Sequence, residues 1–118
     1  MQLTITHVND VTVISVDVNA LDASNSKDLK AKVAPEIVPG AKILLNLSKL
    51  KFVDSSGLGS MLHCLRQLEG MNGQLKLCCM AKPVRSIFEL VRMHKIFEIH
   101  ITEEEALRSF EAVLEGSK

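Results

Sequence analysis

Tryptophan and tyrosine are absent from this sequence, and phenylalanine occurs only four times. The interior must therefore be aliphatic, built from Val, Ile, Leu and Met. Net charge is absent as well, with 14 basic residues against 14 acidic ones. That removes the electrostatic case for direct nucleic-acid binding, which wants a strong basic excess. Protein partners and small molecules stay open. No apolar run approaches the roughly 18 residues of a membrane span, so no membrane insertion is expected. The start, Met1 to His7, lacks the basic-then-apolar order of a signal peptide. Cysteine is scarce and odd in number, at positions 64, 78 and 79. Cys78 and Cys79 are neighbours in a strand-like run. Strand neighbours point to opposite faces, so no bond between them is expected. The economical reading is reduced thiols in a cytoplasm, filling core space as small hydrophobes.

Familiar catalytic patterns are missing too. The histidines at 7, 63, 94 and 100 show no metal-ligand spacing. A nucleophile elbow needs Gly two residues before and after its Ser, and Ser55, Ser56 and Ser60 all fail. A dinucleotide fingerprint needs a third Gly at position 62, which is Leu, and no Walker loop exists. The chain is accordingly read as a non-enzyme with no cofactor and no metal.

What is present suffices for one domain. The 118 residues are 47% apolar, enough for a core without disulfides or metal. Leu3, Ile5 and His7 alternate with polar residues as a half-buried strand, and Asn9-Asp10 turns the chain into a second strand, Val11 to Val18. Ser24 or Ser26 is expected to cap a helix with Leu29, Val33 and Ile37 on its apolar face, ended or bent before Pro35. Lys42 to Leu47 reads as a central strand. A helix follows with Leu58, Leu62, Leu65 and Leu68 on one face, stopping near Gly70–Gly73. Gln74 to Met80 reads as a buried strand. Pro83 opens a helix carrying Val84, Ile87, Phe88 and Val91. Ile96 to Ile101 is a short strand. Thr102 and Glu105 fit a capping box before a last helix with Ala106, Leu107, Phe110, Val113 and Leu114. The order β-β-α-β-α-β-α-β-α predicts an α/β fold: one mixed sheet, an opening hairpin and then alternating strand and helix, packed with about four helices. No linker or repeat divides residues 1–118, so a single domain is expected.

The stretch Phe52-Val53-Asp54-Ser55-Ser56-Gly57-Leu58-Gly59 joins the central strand to its helix. One helix cap needs one Asp or Ser, whose loss costs about 1 kcal/mol. Here three such residues stand in a row. Gly57 and Gly59 each cost up to about 1 kcal/mol in a helix. They suit a surface kept bare so that another molecule can reach the backbone. Three uses are open: a plain cap, an anion site at the helix start, or covalent phosphorylation of a serine. Asp54 argues against a bound anion. A phosphoserine would add about −1.5 to −2 charge while the helix dipole tolerates it. The surface would then change sign without a change of fold.

The chain resembles the STAS domain family, and within it the bacterial anti-sigma factor antagonists. The resemblance spans nearly the whole chain. It is carried by Leu21-Asp22-Ala23, by Ile43–Leu47, by the Asp54-Ser55-Ser56-Gly57-Leu58-Gly59 stretch, and by Ile96–Ile99 with Thr102–Ala106. It implies a partner switch. The unphosphorylated antagonist binds an anti-sigma factor that is also a serine kinase with an ATP-binding domain, which releases the sigma factor. The kinase then phosphorylates the serine after the aspartate, here Ser55, and a PP2C-type phosphatase reverses this. ATP and magnesium belong to the kinase. Asp22, Asp54, Ser56, Gly57, Leu58 and Gly59 would lie at the partner surface, with Ser56 as a secondary cap. The exposed face of that helix, expected to carry Ser60, His63, Arg66 and Gln67, has few apolar residues, so a monomer is expected for the free chain. Alternatives are an interaction subunit of a lipid or anion transport complex, a regulator of a non-sigma output such as biofilm formation, or a nucleotide or small-molecule sensor. The identity of the kinase, phosphatase and output does not follow from the residues.

Overall fold

The computed structural model describes the backbone of residues 1–116 and the side chains of residues 1–111. The chain opens with β1 (Leu3–Val8), β2 (Val11–Val16) and the two-residue β3 (Ala20–Leu21). Helix α1 (Ser26–Val33), β4 (Lys42–Asn46), the two-residue β5 (Phe52–Val53) and α2 (Ser55–Gly70) follow. Then come β6 (Gln74–Cys78), α3 (Lys82–Leu90), β7 (Glu98–His100) and α4 (Glu103–Gly116). Five strands form one sheet in the order β1-β2-β4-β6-β7. Only the β1–β2 hairpin is antiparallel, and its turn places Asn9 in the left-handed region at φ 55°. The other three pairings are parallel. This is the expected α/β arrangement, with four helices.

The two faces of the sheet bury two clusters. On one face Ile14, Val16, Ile43, Leu45, Leu75 and Leu77 meet Leu29 and Val33 of α1, Met61, Cys64, Leu65 and Leu68 of α2, and Val84 and Phe88 of α3. On the other face Val11, Val13, Leu44 and Cys78 meet Ala106 and Phe110 of α4. The interior is mainly aliphatic, and its buried aromatics are phenylalanines. Phe88 and Phe97 stack edge to face with centroids 5.9 Å apart. Lys76, although in a central strand, is 3% exposed. Its Nζ pairs with Glu98 at 2.9 Å, donates to the Ser109 hydroxyl at 2.8 Å and lies 4.4 Å from the centre of the Phe110 ring. A buried ammonium needs such partners, and they pin α4 to β6 and β7.

Several local expectations shift. Strand β1 is an edge strand, and Ile5 and Val8 are exposed, so it is less buried than its alternation suggests. Helix α1 ends at Val33, and Pro35 sits in a 3-10 turn, Ala34–Glu36. Neither Ser24 nor Ser26 caps α1. Asn25 holds the cap position without a side-chain cap bond, because its amide is spent on Asp22 N–H and Ala20 C=O. Val91 caps the end of α3 and is 47% exposed instead of joining Val84 and Phe88. The last strand is only Glu98–His100, since a 3-10 turn (Met93–Lys95) precedes it. Strand β6 stops at Cys78, because Cys79 turns into the left-handed region at φ 66°. The strand alternation assumed for Cys78 and Cys79 therefore fails, and both side chains pack against the cluster beneath α4. Val113 and Leu114, expected on the face of α4, lie outside the described side chains.

Candidate functional site

The polar stretch lies where α2 leaves the sheet, and a second loop is tied to it. Strands β3 and β5 pair in parallel, Ala20 with Phe52 and Leu21 with Val53. Asp54 N–H donates to Leu21 C=O at 3.2 Å, and Lys51 and Phe52 N–H donate to Asn19 C=O. The loop beginning at Asp22 is thereby held beside Asp54. The Asp22 loop is also closed on itself. Asp22 Oδ1 accepts from the Ser24 N–H at 2.9 Å and from the Ser24 hydroxyl at 2.5 Å. The Ser24 hydroxyl, then its N–H, hold the Asp22 carboxyl below the usual carboxylate range.

Asp54 is the cap of α2. Its backbone is extended, and its Oδ1 accepts the Gly57 N–H at 2.9 Å, as a cap residue does for the third helical position. Ser55 and Ser56 are the first two helical residues, and both are exposed. Among the described residues neither hydroxyl has a hydrogen-bond partner, so Ser56 is not a secondary cap. The first turn of α2 carries no acidic side chain.

The two glycines have different reasons. A Cβ on Gly57 would sit 2.4 Å from Leu21 O and 2.7 Å from Val53 Cγ2. Gly57 is therefore required by the close approach of β3 and β5 to the helix, and not by a bare outer surface. Gly59 is exposed and a Cβ there would meet nothing within 4 Å, so the bare-surface reading applies to it alone. Leu58 is 5% exposed and belongs to the core cluster with Met61 and Leu65. Ser60, expected on the outer face, is 2% exposed, and its hydroxyl donates to Gly57 C=O at 2.7 Å. His63, Arg66 and Gln67 are exposed as expected. Of the residues singled out, Ser55, Ser56 and Gly59 are exposed, Asp22 and Asp54 are half-buried, and Gly57 and Leu58 are buried.

One neighbour was missed by sequence reasoning. Phe52, just before the cap, is 49% exposed. A large aromatic next to a polar loop is a signal that could have been read, since exposed aromatics favour partner surfaces. Among the described residues no cluster of His, Cys, Asp and Glu could hold a metal ion. No described helix is long and apolar enough to cross a membrane.

The STAS domain family model matches residues 2–106. BtrV of Bordetella bronchiseptica, which carries an anti-sigma factor antagonist name, is 27% identical over 97% of this chain and 98% of its own. The anti-sigma F factor antagonist of Lysinibacillus sphaericus is 30% identical over 81% of this chain and 83% of its own. A solved structure of the Bacillus cell fate determinant SpoIIAA, in its phosphorylated form, superimposes with a TM-score of 0.67 at 27% identity. It covers 92% of this chain and 99% of that one. On the family match and these full-length likenesses, the chain belongs to the STAS domain family, among the anti-sigma factor antagonists.

Proposed function

We propose that this chain is a phosphorylation-controlled antagonist that binds an anti-sigma factor when Ser55 is free and releases it when Ser55 is phosphorylated. The observation that carries the reading is the division of labour at the start of α2. Asp54 does the capping, while the Ser55 hydroxyl is exposed and has no bond to lose among the described residues. A phosphoryl group on Ser55 would leave the Asp54–Gly57 cap in place. It would add about −1.5 to −2 charge at the positive end of a helix, where the dipole favours it. The cost falls on a partner. A surface that covers Ser55, Ser56, Gly59 and Phe52 would have to bury a dianion beside Asp54 and Asp22.

In this reading the partner is a serine kinase that supplies ATP and magnesium, and a PP2C-type phosphatase resets the switch in the cytoplasm. The chain is a substrate and a binding partner, not an enzyme. The test is a capture experiment with wild type, Ser55→Ala and Ser55→Asp as baits, followed by labelling of wild type by the captured kinase with ATP. Ser55→Ala is expected to retain an ATP-binding serine kinase that Ser55→Asp loses, with label on Ser55 alone. Equal labelling of Ser55→Ala would overturn the assignment. Retention of one transporter component by both baits would move the chain to the transport-subunit reading.

A further inference from the structure

We propose that Cys78 and Cys79 form a vicinal dithiol that a peroxide oxidises reversibly to a disulfide within the chain, giving a covalent modification site separate from Ser55. Consecutive strand residues face opposite ways, which would keep two adjacent thiols apart. Here β6 ends at Cys78, and Cys79 takes a left-handed backbone at φ 66°. For a residue other than Gly this is an uncommon conformation. The consequence is that both side chains pack against one cluster, with Val11, Val13, Leu44, Ala106 and Phe110 beneath α4. Cys64 lies in the cluster on the other face of the sheet and is no competitor.

The two thiols differ in access. Cys78 is fully buried, and Cys79 is half-buried. Peroxide-sensing cysteines commonly pair the more accessible thiol with a sheltered resolving one, as the two stand here. Burial, then the neighbouring Cys79 and Glu103, push the Cys78 thiol up, which keeps it protonated and leaves first contact with oxidant to Cys79. The Cys79 thiol gives up its proton as its sulfur attacks a peroxide oxygen, the O–O bond breaks, and the departing hydroxide takes that proton and leaves as water while a sulfenic acid forms. The Cys78 sulfur then displaces the sulfenic hydroxyl, and one water leaves as the S–S bond forms. The chain loses two protons and two electrons, and the peroxide is reduced to two waters.

Such a bond closes a ring through a single peptide. Neighbouring Cα atoms are about 3.8 Å apart, short of the usual disulfide span of about 4.4–6.8 Å. The bond is therefore strained and easily reduced, as suits a reversible mark and not a structural staple. The strain falls on two hydrogen bonds that flank the pair, Leu47 N–H to Cys78 C=O at 3.0 Å and Cys79 N–H to His100 C=O at 3.2 Å.

The test exposes the reduced full chain to hydrogen peroxide, alkylates free thiols and maps peptides by mass spectrometry. The expected product has lost the mass of two hydrogens, with Cys78 and Cys79 both protected in one peptide and Cys64 alkylated. Dithiothreitol restores both thiols. Amide exchange at Leu47 and Cys79 quickens on oxidation. Cys64→Ser behaves as wild type, and Cys79→Ser loses the protection. A sulfinic acid on Cys79 with Cys78 still alkylatable, a bond to Cys64, or a bond between two chains would each overturn the proposal. Because the peptide map uses wild type, failure of a variant to fold does not blur it. Phenylarsine oxide, which bridges paired thiols, gives a second reading. It is expected to bind once per chain and to be blocked by prior peroxide, and absence of binding to the reduced wild type counts against the site.

Discussion

Two helices of this molecule begin in the same way and are finished differently. At α4 the Thr102 hydroxyl accepts the Glu105 N–H at 3.1 Å, and Glu103, Glu104 and Glu105 fill the first turn. At α2 Asp54 accepts the Gly57 N–H at 2.9 Å, and the first turn holds Ser55, Ser56 and Gly57, with no acid. The positive end of α4 is satisfied by permanent charge. That of α2 is capped once, by the Asp54 carboxylate, and the residues of its first turn carry no charge. A phosphate on Ser55 would bring α2 to the charge state that α4 has from its sequence. The difference separates a helix start built for stability from one that keeps room for a charge to come and go.

The comparison breaks most visibly at Gly57. Gly57→Ala drives a Cβ into Leu21 O and should cost about 2–3 kcal/mol by overpacking, read as a lower urea midpoint. The same change at Gly59 meets open space and should instead stabilise α2 by up to about 1 kcal/mol. If both substitutions behave alike, the split between a packing glycine and a surface glycine is wrong. Next come the caps themselves. Asp54→Ala and Thr102→Ala should each cost about 1 kcal/mol in chemical denaturation. Ser55→Ala and Ser56→Ala should be silent in the same assay, because neither hydroxyl has a partner to lose. A smaller effect separates the charges: Glu105→Ser should destabilise by about 0.3–1 kcal/mol, while Ser55→Glu should leave thermal stability unchanged or slightly raised.

The smallest effect is a pH dependence beside α2. The Ser24 hydroxyl holds the folded pKa of Asp22 below its unfolded value of about 3.9. The contribution is therefore present above that value and lost as pH falls through the folded pKa. Ser24→Ala should be less stable than wild type near neutral pH, and the gap should close in acid. A gap that persists unchanged in acid would mean that the loop bonds do not act through the Asp22 charge.

The sheet and its helices were legible because apolar periodicity switches cleanly between two and 3.6 along the chain. The Leu58–Leu68 face needed nothing more, and Lys42–Asn46 was legible as a short, nearly unbroken apolar run. What escaped was set by contacts between distant residues. The β3–β5 pair is two residues long and leaves no period to read. Gly57 looked like an opening for a partner because the chain segment that fills its missing Cβ lies 36 positions away, at Leu21. Ser60 is polar and was placed outside, yet a single bond to Gly57 C=O lets it sit in the core. Cys79 followed a strand pattern until its backbone left the strand. A cap at the start of α2 was legible because cap chemistry is local, whereas the Ser24–Asp22 closure depends on a turn that has no unique sequence signature.

The strand order β1-β2-β4-β6-β7 runs in chain order from one edge of the sheet to the other. During synthesis each new strand can therefore add to an edge already made, with no gap held open for a later arrival. One face is the exception. Val11, Val13, Leu44 and Cys78 wait for Ala106 and Phe110, which follow all of these strands along the chain. Until Phe110 clears the ribosome, a nearly finished sheet shows an apolar surface to the cell. The nascent sheet before α4 docks, more than the folded protein, is the form expected to be prone to aggregation.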